Sequence, residues 1–105
     1  MTPDEIRDEI VTFGDQAGVD VYIRALPCGE IELTDLFARE TGKGAGTKVM
    51  NRLCELADAA GLNIYTTPSE PRNVTFYGRF GFETSRRYWG LPLERLQPPP
   101  KEAFE

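Results

Sequence analysis

The stretch Arg39–Leu53, RETGKGAGTKVMNRL, decides how the chain is read, because it sets three alternating glycines directly before an amphipathic run. Behind Gly42, Gly44 and Gly46, the residues Val49, Met50, Leu53, Ala57 and Ala60 recur at helical spacing. Lys48, Arg52, Glu55 and Asp58 fall on the opposite side. Glycines let a backbone approach a bound group closely, and the free N–H groups of a helix start carry about half a unit of positive charge. Such a loop is either an anion cradle, with Lys43 and Thr47 close by, or only the entry to a helix.

Upstream, EIELTDLFA (30–38) reads as a strand with an irregularity. Ile31 and Leu33 keep one face, but the next aliphatic residue is Leu36, a one-residue slip of the kind a β-bulge produces. VDVYIRALP (19–27) alternates Val19, Val21, Ile23 and Ala25 inward against Asp20, Tyr22 and Arg24 outward, and residues 27–30 make the turn between the two strands. A first helix precedes them, capped by Thr2 with Pro3 at its first position and Glu5 completing a capping box. Ile6, Ile10 and Phe13 share one face, and Gly14 or Gly18 marks the exit.

Downstream, Gly61 stops the central helix, and LNIYTT (62–67) is a third strand expected to run parallel to the second, since a helix separates them. A short helix follows, with Ser69 as cap, Pro71 in its first turn and Gly81 at its end. FETSRRYWGLPLERL then forms a closing strand or hairpin broken near Gly90 and Pro92. The expected fold class is α/β (α+β) with a mixed sheet, as one domain over 1–96 and a disordered tail over 97–105.

Composition narrows the chemistry. A chain of 105 residues, 40% hydrophobic and 28% charged, has the makeup of one small folded domain rather than of a disordered segment. No apolar window spans a bilayer and the N-terminus starts polar, so no membrane association and a cytoplasmic location are expected. Cys28 and Cys54 make no disulfide framework, and Cys54 falls on the exposed or flanking side of its helix, where it reads as inert. The absence of histidine removes Ser–His and Cys–His catalysis and the usual zinc ligands, so no metal is expected. A net charge of −5 disfavours nucleic acid and favours a cationic acceptor.

Three phosphate-binding patterns fail on the glycine loop. The dinucleotide fingerprint needs one more residue than Gly42, Gly44 and Gly46 leave, and an acid where the third strand ends in threonines. The P-loop needs Lys before Ser/Thr after its last glycine, whereas Thr47 precedes Lys48. A kinase-type loop joins two strands, and here a helix follows.

The loop resembles motif A of the GNAT N-acetyltransferase superfamily, Gln/Arg-x-x-Gly-x-Gly/Ala after a bulged strand. Gly44 and Gly46 match, and Thr41 departs from the expected Gln or Arg. NVTFYGRFGF resembles motif B through Asn73, Phe76, Tyr77, Gly81 and Phe82, and one helix plus one strand separates the two motifs, as in the family. The resemblance covers about residues 30–82, and it implies acetyl-CoA as cosubstrate and a primary amine as acceptor. By position, Leu36, Phe37 and Ala38 would offer backbone groups to the pantetheine arm, and the loop Thr41, Gly42, Lys43, Gly44, Ala45, Gly46 and Thr47 would hold the pyrophosphate. Asn73 would either bond the cofactor arm or cap its helix. Tyr77 would protonate the departing thiolate, or else pack as a core aromatic with Phe76, Phe80 and Phe82. Glu32 or Asp35, flanking the slip, would be the base, against the alternative of solvated strand-edge carboxylates. Tyr88 and Trp89 fall where the acceptor pocket wall is expected, or in the core. Family members carry a further strand and helix ahead of VDVYIRALP, so this shorter, N-terminally truncated front implies an open acceptor site or one completed by a second subunit. A free sheet edge points to a homodimer. The competing reading is a non-catalytic acyl-CoA-binding or protein-interaction module of the same fold, and a weaker one is a plain scaffold.

Overall fold

Helix α1 (Pro3–Ala17) begins as its sequence dictates. The Thr2 hydroxyl accepts from the Glu5 N–H at 3.2 Å and the Glu5 carboxylate accepts from the Thr2 N–H at 2.8 Å, which closes the capping box. The helix ends at Gly18, whose φ of +80° suits a residue without Cβ. Gly14, the other candidate exit, lies inside the helix instead. A Cβ there would stand 2.8 Å from Val21 Cγ2 and 2.9 Å from the Val19 carbonyl oxygen, so this glycine lets α1 sit close against the sheet.

The computed structural model describes residues 1–27, 29–40, 42–68, 71–84 and 92–97. After α1 come β1 (Val19–Ala25), β2 (Ile31–Ala38), α2 (Ala45–Ala60), β3 (Ile64–Thr66), α3 (Pro71–Gly78), β4 (Glu83–Thr84) and β5 (Leu93–Arg95). The sheet order is β1-β2-β3-β5-β4, with β2 and β3 parallel and every other neighbouring pair antiparallel. The closing segment is thus a pair of strands, with β5 inserted between β3 and β4. Ser69, Tyr88, Trp89 and Gly90 lie outside the described residues, as do residues 98–105. Gln97, expected as the first residue of a tail, is tied to the domain: its N–H donates to Asn63 Oδ1 at 2.7 Å and its amide donates to Asp58 Oδ1 and to the Leu62 carbonyl, both at 2.9 Å.

The slip in β2 is a bulge. Tyr22 stands opposite Asp35 and Ile23 opposite Leu33, which leaves Thr34 as the extra residue. Ile31, Leu33, Leu36 and Ala38 therefore share one face with Ala25, Ile23, Val21 and Val19, while Glu32, Asp35 and Phe37 share the other. α1 and α2 cover the first face. Ile6 and Ile10 of α1 and Val49, Met50 and Leu53 of α2 are fully buried against Ile31, Leu33 and Ile64, each worth roughly 1.5–3 kcal/mol in transfer from water. Ala25, placed inward by the alternation, is exposed at the strand end. Cys54, placed on the exposed or flanking side of α2, belongs to this core, and its burial pushes the thiol pKa up.

Candidate active site at the bulged strand

β2 and β3 pair only over Ile31–Leu33 and Ile64–Thr66, whereas β2 runs on to Ala38. Beyond the last paired residues a cleft opens between the far half of β2, the start of α2 and α3. It holds a cavity of about 380 Å³. Leu36 and Ala38 form the β2 wall, and Gly42, Gly44, Ala45, Gly46 and Thr47 form the loop wall. Asn73, Phe76 and Tyr77 come from α3, and Glu40 from the bend after β2.

The loop takes its shape from its glycines: φ is +83° at Gly42 and +72° at Gly44, values that other residues adopt only with strain. Gly44 also caps α2, and no side chain bonds to the helix start there, in contrast to the full box on α1. The first turn of α2 holds no acidic residue, and the first helical bond runs from Lys48 N–H to the Gly44 carbonyl at 3.1 Å. The N–H groups of Ala45, Gly46 and Thr47 are therefore the ones the helix ladder leaves over, and they stand at the cavity wall. A Cβ on Gly46 would lie 3.5 Å from Leu36 and 3.8 Å from Phe76, so hydrogen at this position keeps the narrow part of the cleft open. This donor set, free of carboxylates in the first helical turn, suits a phosphate.

Not every expected residue joins the cleft. Phe37 points to the other sheet face, where its ring is exposed, and its backbone stands opposite Asp20 in the ladder with β1, so Leu36 and Ala38 alone of the three reach the cleft. Lys43 turns away as well: its ammonium pairs with Glu40 at 2.8 Å and it lines a second cavity with Arg39. The Leu36 N–H, one of the groups expected to meet a cofactor arm, is taken by the Asp35 carboxylate at 2.9 Å. Thr41 lies outside the described residues.

Tyr77 is packed in the core and also borders the cleft. Its ring is buried, edge-on to Phe76 at 5.4 Å and tilted against Phe82 at 5.5 Å, yet it also lines the cavity. The Thr66 hydroxyl, which donates to the Leu33 carbonyl at 2.8 Å, lies beside the Tyr77 phenol. Burial pushes the Tyr77 pKa up, the neighbouring Thr66 hydroxyl opposes that shift, and the nearby Asp35 charge adds to it. The phenol keeps its proton at neutral pH.

The two acids do not line the cavity; Glu32 lies where β2 is paired on both sides, and Asp35 where β2 pairs with β1 alone. Residues three apart on a regular strand face opposite ways; the extra Thr34 brings Glu32 and Asp35 to the same face. Glu32 is buried and paired with Arg24. Asp35 is half-buried, and its charge is felt at the Tyr77 hydroxyl.

Sequence reasoning missed Thr66, beside the Tyr77 phenol, and Glu40. It read Phe76 as packing although the ring also walls the cleft. Phe76 carried a signal, since it stands beside Tyr77 in the second motif; Glu40 carried none.

Residues 10–82 match the model of the acetyltransferase (GNAT) family, a span that holds the bulge, the glycine loop and Tyr77. No curated protein matches at a significant level. Among solved structures, the crystal structure of the anti-CRISPR protein AcrVA5 is similar, with a TM-score of 0.58 at 17% identity over 74% of this chain and 90% of that one. At that identity the likeness is one of fold.

Proposed function

The chain belongs to the acetyltransferase (GNAT) family, and from that premise we propose that it transfers an acetyl group from acetyl-CoA to a primary amine by direct attack. One observation carries the reading: the bare start of α2 and the protonated Tyr77 hydroxyl share a single cleft beside the far half of β2. In this reading the amides from Gly42 to Thr47 hold the pyrophosphate. The backbone of Leu36 and Ala38 borders the arm, with Asn73 on the opposite wall. Acetyl-CoA, when bound, supplies the activated acyl group.

The protein's own part is proton handling. An amine must lose a proton to attack, and Asp35 is the proposed acceptor of it, directly or through one water. Asp35 is preferred over Glu32 because Arg24 already neutralises Glu32. Tyr77, which burial keeps protonated, holds the proton for the leaving sulfur. The net charge of −5 and the carboxylates on the outer sheet face favour a cationic acceptor, such as a polyamine or a lysine side chain. The reading treats residues 1–96 as one unit, calls on no metal, and fits a reducing, cytosolic compartment.

The test is calorimetric titration with acetyl-CoA of the wild type and of Gly46→Glu. A glutamate near the start of α2 favours the helix and preserves the fold, but it fills the cleft and presents its own anion. Binding in the wild type and none in the variant, followed by amine-dependent release of CoA thiol, is the expected result. No heat with acetyl-CoA at about 1 mM removes the proposal.

A further inference from the structure

β1 is an edge of the sheet, and among the described residues no strand pairs with its outer side. Its free groups can be counted. The Gly18 carbonyl bonds to the Arg39 N–H at 2.8 Å and the Leu26 N–H to the Glu30 carbonyl at 2.8 Å, so the even-numbered residues from 18 to 26 bond toward β2. By the alternation of an antiparallel ladder, Val19, Val21, Ile23 and Ala25 aim their backbone N–H and C=O groups outward. The strand has seven residues, with Tyr22 at its centre and Asp20 and Arg24 two positions to either side.

We propose that two copies of this chain join their β1 strands antiparallel about a two-fold axis at Tyr22, continuing the sheet across the dimer. A two-fold axis that pairs antiparallel edges stands perpendicular to the sheet and matches like faces, so only registers centred on a residue are open. Centring on Tyr22 alone pairs all seven residues. It sets Val21 against Ile23 and Val19 against Ala25 of the second copy as hydrogen-bonded pairs. Asp20 then opposes Arg24, twice, and Tyr22 opposes itself, in the closer non-hydrogen-bonded positions. Centring on Val21 or Ile23 instead sets Tyr22 against Asp20 or Arg24 and leaves strand ends unpaired.

Charge complementarity extends beyond the pair. Arg39 bridges Asp15 at 2.5 Å and Asp20 at 2.7 Å, and Arg24 pairs with Glu32. Across the seam the order Asp15, Arg39, Asp20, then Arg24 and Glu32 of the second copy alternates in sign throughout. Asp20 and Arg24 are open to receive each other, with side chains 43% and 67% exposed. The apolar surface agrees. A cavity of about 320 Å³ runs along this edge between α1 and β1, with Val11, Val19, Val21 and Tyr22 in its wall, and Val11 and Tyr22 are exposed large hydrophobics.

Sedimentation velocity of the full chain from about 1 to 100 μM reads the assembly. The wild type is expected to dimerise. Asp20→Arg and Arg24→Asp each place like charges opposite twice and are expected to weaken the dimer about tenfold or more. Mixed one to one, the two variants restore opposite charges at both positions and are expected to recover it. Circular dichroism confirms that each variant is folded. Tyr22→Cys in a Cys28→Ser background brings two thiols to a Cα separation of about 4.5 Å, within disulfide reach, and is expected to link covalently with oxidised glutathione. A monomer at every concentration, a dimer that fails to link through position 22, or a dimer unmoved by the charge reversals overturns the proposal.

Discussion

Replacing Tyr77 with phenylalanine separates catalysis from packing. The ring keeps its contacts with Phe76 and Phe82, at 5.4 and 5.5 Å, because only an oxygen is removed. The interaction at stake is the polar contact with the neighbouring Thr66 hydroxyl, and Thr66 stays satisfied through its own donation to the Leu33 carbonyl at 2.8 Å. The stability cost is therefore at most that of one ordinary hydrogen bond, about 0.5–1.5 kcal/mol, with no buried group left stranded. For a domain of this size that lowers Tm by roughly 4–8 °C per kcal/mol. If the hydroxyl is the general acid, the rate falls by about 10²–10⁴, equivalent to roughly 3–5 kcal/mol of barrier. The assay follows CoA thiol release under saturating amine, beside calorimetric affinity for acetyl-CoA and thermal unfolding. Turnover should collapse while affinity holds and the fold survives. The pH profile adds a signature: burial raises the Tyr77 pKa, so wild-type turnover on its alkaline side is lost only as pH rises above the ordinary tyrosine value of about 10. A loss of turnover under about tenfold with intact acetyl-CoA binding would refute the role and leave the hydroxyl as a brace for Thr66.

Gly14→Ala should destabilise despite the better helix propensity of alanine, about 1 kcal/mol, because the new methyl meets the Val19 carbonyl at 2.9 Å and Val21 Cγ2 at 2.8 Å. Overpacking of this kind costs about 1–3 kcal/mol, and a urea midpoint equal to or above wild type counts against the tight α1–β1 approach. The Arg95 guanidinium, with Gln97, holds the Asp58 carboxyl below the usual carboxylate range. Its contribution is present above the ordinary value and disappears as pH falls through the depressed one, so Asp58→Asn should flatten the acid limb of stability measured from pH 6 to pH 2. An unchanged acid limb would mean that solvent screens the pair. Buried in the core with a raised thiol pKa, Cys54 should resist alkylation in the native Cys28→Ser protein and react on unfolding. Rapid native labelling contradicts that burial.

Much of the fold was legible in the chain because its causes are local. The cap of α1 depends on Thr2, Pro3 and Glu5, all within one turn. The bulge announces itself as a break in the period between Leu33 and Leu36, and the glycines before α2 as a change in composition. The candidate site was legible only in outline. Periodicity placed Cys54 on a flank of α2, yet the core closes over it. Lys43 belonged to the loop by position, but Glu40 draws it out of the cleft. No sequence spacing says that Asp35 takes up the Leu36 N–H and raises the pKa of a tyrosine 42 positions further on.

By itself, then, the sequence determined the elements, their order, the bulge and the glycine-capped start of α2, since backbone conformation and helix capping answer to neighbours within about four residues. Only the tertiary structure decided that Gly14 is a contact rather than an exit, that Glu32 and Asp35 share a face, that β5 slips between β3 and β4, and that Tyr77 leans on Thr66. These are distances between elements far apart in the chain. They are set by how the covered sheet face closes against α1 and α2, which no local pattern encodes.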